Sequence, residues 1–161
     1  LTTNDRREQR IAKLARLREQ GVDPYPARVE CTHTAAQAVA AFEEATDSQD
    51  VLAQVAGRLM SIRAMGKSAF AHIADGSGRL QFYLRQDIVG EDSYDLFRRQ
   101  LDIGDFIEAK GRLFHTRTGE ITLEVKSFRL LSKAFRSLPD KWHGLKDTET
   151  RYRQRYLDLI S

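Results

Sequence analysis

The sequence predicts a mainly β domain with flanking helices, and three observations predict it. Apolar residues recur with a helical period near the N-terminus, and from about residue 51 the period drops to 2. Five stretches then alternate in the manner of strands. Between the third and fourth of these lies 91-EDSYDLFRRQL-101, which reads as a short helix. Five strands alone suit either a small SH3-like barrel or an OB-fold. A helix between strands three and four favours the OB-fold, a partly open Greek-key barrel that often binds oligonucleotides.

The elements follow in chain order. The segment 4-NDRREQRIAKLARLREQG-21 predicts a helix, with Asn4 or Asp5 as cap and Gly21 as stop. Ile11, Leu14, Ala15 and Leu17 form its expected apolar stripe. Arg6, Arg7, Arg10, Lys13 and Arg16 fall largely off that stripe and are candidate contacts to phosphates. Two prolines make 22-VDPYPARVE-30 an extended connector. Thr34 caps a short helix over 35–45. The expected strands are 51–65, 68–75, 79–85, 104–116 and 120–132. A loop over 137–144 then leads to a helical segment over 146–160. The expected organisation is a helical appendage at 1–48, an OB barrel at 49–133, and a linker from 134.

Composition narrows the classes of function. With 161 residues, 41% of them hydrophobic and 30% charged, the chain supports one compact domain with appended helices. No apolar run approaches the ~20 residues that span a bilayer, and no signal peptide opens the chain, so no membrane partner is expected. The single cysteine, Cys31, forms no internal disulfide and reads as an ordinary small residue, compatible with a reducing cytosol. His33, His72, His115 and His143 lie far apart, and without a metal-ligand spacing no metal site is expected. No catalytic Ser/His/Asp or Cys/His set is suggested. The net charge of +3 is uneven: residues 1–20 carry +3, residues 21–49 carry −4, and residues 132–161 carry +3. Basic ends point modestly to a polyanion, and on charge alone a solvated helix face is as good a reading.

The stretch 63-RAMGKSAFAHIADGSGRLQFYLR-85 raises the functional question. Gly66-Lys67 suits a two-residue hairpin, which sets Arg63 opposite Phe70. The turn 75-DGSG-78 then pairs Phe70 with Tyr83 and His72 with Gln81. Alternation buries Ala69, Ala71, Ile73, Leu80, Phe82 and Leu84. The other face carries Arg63, Phe70, His72, Gln81 and Tyr83, with Lys67 at the turn. Ile121, Leu123 and Val125 point inward on the last strand, so Glu120 points outward. An outward aromatic either stacks on a base or is covered by another element such as the N-terminal helix. The polar groups fit a base reader: a carboxylate accepts the N3–H of uracil, while Gln and Arg donate to its carbonyls. His72 reads as a polar surface residue rather than a catalyst. Glu108 and Glu124, alternating with Lys110 and Lys126, read as solvated cross-strand pairs.

These residues resemble a known family. The segments 16-RLREQGVDPYP-26, 57-GRLMSIRAMGKSAFAHIAD-75, 110-KGRLFHTRTGE-120, 130-LLSKAFRSLPDKWHGLKD-147 and 151-RYRQRYLDLI-160 are similar to the N-terminal, anticodon-binding part of bacterial-type class II lysyl-tRNA synthetases. The resemblance covers essentially the whole chain, and its last two segments are the most specific. It implies that Phe70 stacks on a uracil of the lysine-tRNA anticodon, with Arg63, Gln81 and Glu120 bonding that base. Lys67, His72 and Tyr83 are possible further RNA contacts. It also implies a parent ligase, a cytoplasmic homodimer that uses ATP and Mg²⁺ to attach lysine to tRNA. In that family a catalytic domain follows RYRQRYLDLI, so residues 134–161 read as a linker and its beginning. The expectation is a monomeric fragment without catalytic residues or a cofactor of its own, inactive alone. Two other readings stay open: a free-standing single-strand nucleic-acid binder without base choice, and a protein-interaction domain whose partner covers Phe70.

Overall fold

The computed structural model describes residues 3–45, 51–136, 148–153 and 155–158. The expected loop over 137–144 and the expected boundary at residues 48–49 lie outside the described residues. The elements are α1 (Thr3–Glu19), α2 (Ala35–Glu44), β1 (Leu52–Met65), β2 (Ser68–Ala74), β3 (Arg79–Arg85), α3 (Gln86–Val89), α4 (Glu91–Gln100), β4 (Phe106–His115), β5 (Ile121–Ser132), α5 (Thr148–Arg153) and α6 (Arg155–Asp158). The one-turn α3, bracketed by Arg85 and Gly90, carries no sequence signal strong enough to predict it.

The five strands form a closed barrel in the order β1-β2-β3-β5-β4. All pairs are antiparallel except β3 with β5, which run parallel over Gln81↔Thr122, Phe82↔Leu123 and Tyr83↔Glu124. Together with the helices between strands three and four, this is the OB-fold arrangement. The barrel is closed rather than partly open because the long β1 serves two neighbours. Its first half pairs with β4 and its second half with β2. A strand that turns that sharply needs room at its bends. Gly57 sits where a Cβ would come within 2.8 Å of the Ala74 carbonyl, and at Gly111 it would lie 2.0 Å from the Glu124 carbonyl oxygen. Both glycines let backbones approach more closely than any side chain permits.

Leu59, Ile73, Leu80, Phe82, Leu84, Ile107, Leu113, Leu123 and Leu130 fill the barrel. Helix α2 lays Ala35, Ala38 and Phe42 against this core. Its N-terminus has two caps. Thr34 and Gln37 form a capping box. The β2–β3 turn supplies the other: the Ala35 amide donates to Asp75 Oδ2 (2.8 Å) and the Ala36 amide to Ser77 Oγ (3.0 Å). Burial pushes the Asp75 carboxyl up, but the hydrogen bonds from Ser77, Ala35 and Gly78 outweigh it and hold the group below the usual carboxylate range.

Helix α1 ends in a Schellman motif at Gly21 (φ 74°), with the Gly21 amide on the Arg18 carbonyl and the Val22 amide on that of Leu17. The face it buries differs from the expected one. Ile11 is 39% exposed and Ala15 is exposed, whereas Arg10, Leu14 and Leu17 are buried. Two predicted phosphate contacts are therefore corrected. The Arg10 guanidinium donates to the carbonyls of Ala134 (3.0 Å), Arg136 (2.9 Å) and Ile103 (3.0 Å). Lys13 Nζ pairs with Asp102 at 2.7 Å. Asp102 also takes Lys133 Nζ (2.6 Å), which reaches Asp105 at 2.7 Å with both side chains wholly buried. Arg10 and Lys13 thus fasten the helix to the barrel end. A period count that scores arginine as polar misplaces this face.

Glu108 also departs from expectation. It is 7% exposed, not solvated, and it accepts from the Glu30 amide (3.0 Å), Gln54 Nε2 (2.8 Å) and Arg129 (2.9 Å). Burial pushes its carboxyl up, and those three donors more than reverse the shift. Glu124 pairs across the strands with Arg112 at 3.4 Å rather than with a lysine.

Candidate nucleic-acid interface

The outer face of β1, β2 and β3 is built by two tight turns. Gly66 takes φ 60° at the first turn, and the register Met65↔Ser68, Arg63↔Phe70 follows. At the second, Asp75 accepts from the Ser77 and Gly78 amides, giving Ala74↔Arg79, His72↔Gln81 and Phe70↔Tyr83. The predicted pairings are all present. Arg63, Phe70 and Tyr83 therefore form one row across three strands, and His72 and Gln81 form the next.

The aromatic row is continuous. Phe70 stacks on Tyr83 with centroids 4.6 Å apart and planes inclined by 27°. Tyr83 meets Phe114 at 6.1 Å. The exposed Arg63 holds its guanidinium 5.8 Å above the Phe70 ring, at the outer limit of a cation–π contact. Helix α1 is fastened through Arg10 to the Ile103 and Ala134 carbonyls and through Lys13 to Asp102. The Phe70 ring remains half-buried, stacked on Tyr83 in its own row.

Beside it runs a polar chain. Thr116 fixes the backbone of Glu120, its amide donating to the Glu120 carbonyl (3.0 Å) and its hydroxyl accepting from the Glu120 amide (3.0 Å). This directs the Glu120 carboxylate back over β2 and β3. Gln81 Nε2 donates to Glu120 Oε2 at 2.7 Å, and His72 Nε2 lies 3.0 Å from Oε1. A carboxylate only accepts, so His72 donates to it from Nε2, and its Nδ1 shares a 3.0 Å hydrogen bond with Ser61 Oγ. At the inner end Thr122 Oγ1 donates to Gln81 Oε1 at 2.8 Å.

Of the residues predicted from sequence, the structure brings Arg63, Phe70, His72, Gln81, Tyr83 and Glu120 together on one face. Lys67 stands exposed at the hairpin tip. It borders a cleft of about 780 Å³ together with Met65, Tyr83, Arg85 and Glu91. The exposed Arg6, Arg7 and Arg16 lie on α1, apart from this face. Ser61, Thr116 and Thr122 belong to the site but were not predicted. Thr122 shares the outward parity of Glu120, so the alternation held a signal for it. No pattern reveals that it is wholly buried there.

The arrangement presents a flat aromatic platform bordered by one anionic acceptor and two nitrogen donors. That combination suits a planar ring with a donor flanked by acceptors. Among the described residues no group of three His, Cys, Asp or Glu could hold a metal ion, and no helix is long and apolar enough to cross a membrane.

A family model for the OB-fold nucleic acid binding domain matches residues 53–131. The chain is 53% identical over 157 residues to a lysine–tRNA ligase of Pelotomaculum thermopropionicum, covering 98% of the chain and 30% of that protein. It is 46% identical over 158 residues to the lysine–tRNA ligase of Thermosipho melanesiensis (96% of the chain, 32% of the relative). It is 45% identical over 161 residues to that of Bacillus subtilis (98% and 32%). The chain thus spans about a third of the length of the curated relatives it matches.

Proposed function

The chain belongs to the lysine–tRNA ligase family and carries an OB-fold nucleic-acid-binding domain, and from that premise we propose that it holds the anticodon loop of a lysine tRNA and reads a uracil there. The observation that carries this reading is the placement of Glu120 and Gln81, 2.7 Å apart, beside the stacked Phe70–Tyr83 pair. The base lies on the Phe70 ring. Stacking of this kind contributes ~1–3 kcal/mol per base and is blind to base identity. Identity comes from the edge. The N3–H of uracil donates to the Glu120 carboxylate, and its two carbonyls accept from Gln81 Nε2 and the Arg63 guanidinium. Cytosine sets an N3 lone pair against the same carboxylate and is repelled. His72, Tyr83 and Lys67 contact the flanking nucleotides, and the exposed Arg6, Arg7 and Arg16 steer phosphates.

The parent protein is proposed to be a class II ligase, a cytoplasmic homodimer that activates lysine with ATP and Mg²⁺ and transfers it to the tRNA. The described residues contain no acidic cluster fit for Mg²⁺, so no step of that reaction is assigned to them. The role of this part is to select the tRNA.

The test is titration of the chain with an anticodon stem-loop whose middle base is U, and with the same loop carrying C. Preference for U is expected, and Phe70→Ala should weaken both loops by ~1–3 kcal/mol. Equal affinity for the two loops would sink the uracil reading. Unchanged binding by the Phe70 variant would sink the stack.

A further inference from the structure

An amide side chain has two ends of opposite hydrogen-bonding character, and one flip exchanges them. Gln81 lies where either end could face a base. The distinction matters at the position-4 substituent, where uracil offers a carbonyl acceptor and cytosine an amino donor. A freely turning Gln81 would serve both bases.

Gln81 is not free to turn. It is 7% exposed, and both ends of its amide are held. Glu120 Oε2 accepts from Nε2 at 2.7 Å, and Thr122 Oγ1 lies 2.8 Å from Oε1. Thr122 is wholly buried and is the direct register partner of Gln81 across the parallel β3–β5 pairing. Its hydroxyl has one proton to give. The nearest alternative acceptor, the Glu120 carbonyl at 3.1 Å, is already approached by the Thr116 amide at 3.0 Å and the Thr116 hydroxyl at 3.2 Å. The Thr122 proton therefore goes to Gln81 Oε1. A flipped Gln81 would lose its bond to Glu120, set its oxygen against that carboxylate, and force the Thr122 proton onto a carbonyl that is already served.

We propose that Thr122 is a specificity-setting positioning residue: it holds the Gln81 carbonyl inward so that only the amide nitrogen faces the base, which favours uracil over cytosine. It touches no base itself. The inference rests on the uracil reading proposed above and adds to it the device that fixes the direction of one donor.

The experiment titrates wild type, Thr122→Val, Thr122→Ala and Thr122→Ser with the U and C stem-loops at one salt concentration. Removing the hydroxyl by Val or Ala lowers the cost of a flip by about one hydrogen bond, so the U-over-C affinity ratio should fall roughly fivefold. The Ser variant keeps the hydroxyl and should keep the ratio. A merely structural Thr122 would weaken U and C alike, and that outcome, or an unchanged ratio, overturns the inference. Wild type with no preference for U overturns the uracil reading itself, a result separable from the other two. One measurement needs no variant: in the wild-type chain a hydroxyl proton locked onto Gln81 should give a slowly exchanging NMR resonance close to the Gln81 amide. Its absence overturns the assignment whatever the variants do.

Discussion

Replacing Glu120 by Gln tests the centre of the recognition argument with one atom's change. The carboxylate accepts from Gln81 Nε2 at 2.7 Å and from His72 Nε2 at 3.0 Å. A glutamine there still offers an oxygen, so the loop keeps its shape and a uracil N3–H still finds an acceptor. What disappears is the charge. Hydrogen bonds to a charged group contribute ~1.5–3 kcal/mol against ~1 kcal/mol for neutral partners. The Glu120 side chain is 48% exposed, so solvent screens roughly half of that difference. Uracil therefore loses about 0.3–1 kcal/mol. Cytosine gains a similar amount, because its N3 lone pair now meets an amide N–H instead of a carboxylate. In the U-over-C ratio the two add to about 0.5–2 kcal/mol, or roughly two- to thirtyfold. Fluorescence anisotropy with labelled U and C stem-loops at fixed salt measures it, since phosphate contacts shift with salt and base contacts do not. Equal weakening of both loops, in a variant that melts with wild type, would refute the reasoning. It would mean that Glu120 acts on the fold or the loop as a whole.

Three other expectations concern the frame and the charges. Lys133→Met removes the shared cation from the buried Asp105 and the half-buried Asp102. Asp105 keeps its bonds from the Asp102 and Ala134 amides and Asp102 keeps Lys13, so the loss should fall near the low end for a broken buried pair, ~3 kcal/mol, lowering Tm by about 6–12 °C. The same variant should flatten the acid limb of the stability profile. Burial raises the Asp102 carboxyl, but bonds from Lys13 and Lys133 outweigh that and leave it below its ordinary value. A depressed carboxyl stabilises fully above about pH 4 and loses that contribution as the pH falls through the folded value. Urea titrations between pH 7 and pH 3 would show this, and identical limbs in the two proteins would contradict it. Gly111→Ala drives a Cβ to 2.0 Å from the Glu124 carbonyl and should cost more than the ~1–3 kcal/mol of ordinary overpacking, read as a fall in Cm at constant m. Arg6→Gln with Arg7→Gln should reduce the slope of log K against log salt by up to about 2 and leave the U-over-C ratio intact; an unchanged slope would make both residues merely solvated.

The legible parts of this molecule are those fixed by local chemistry. Gly66-Lys67 and Asp75-Gly76-Ser77-Gly78 determine the register of three strands from turn geometry alone, so the row of Arg63, Phe70 and Tyr83 could be read in advance. Side chains whose partners are distant could not. Arg10 counts as polar in any period analysis, yet it bonds three carbonyls, of Ile103, Ala134 and Arg136, that lie far off in the chain. Glu108 alternates like a surface residue, but a connector 78 residues earlier folds over it. Thr122 points outward by parity and is buried because Gln81 and its neighbours on the same outer face close over it. In each case burial was decided by the third dimension, and polarity concealed it.

The parallel contact between β3 and β5 is the shortest seam of the barrel, at three residue pairs. Gln81 and Thr122 form one of those pairs, and Glu120 lies just before it. Any ligand gripping Gln81 and Glu120 together spans that seam like a suture. Occupancy and cohesion are then thermodynamically linked: at a hundred times Kd the ligand adds ~2.7 kcal/mol to the folded state. The amides of Phe82 and Leu123 should become the chain's most sensitive reporters of occupancy by hydrogen exchange, although neither residue touches the ligand.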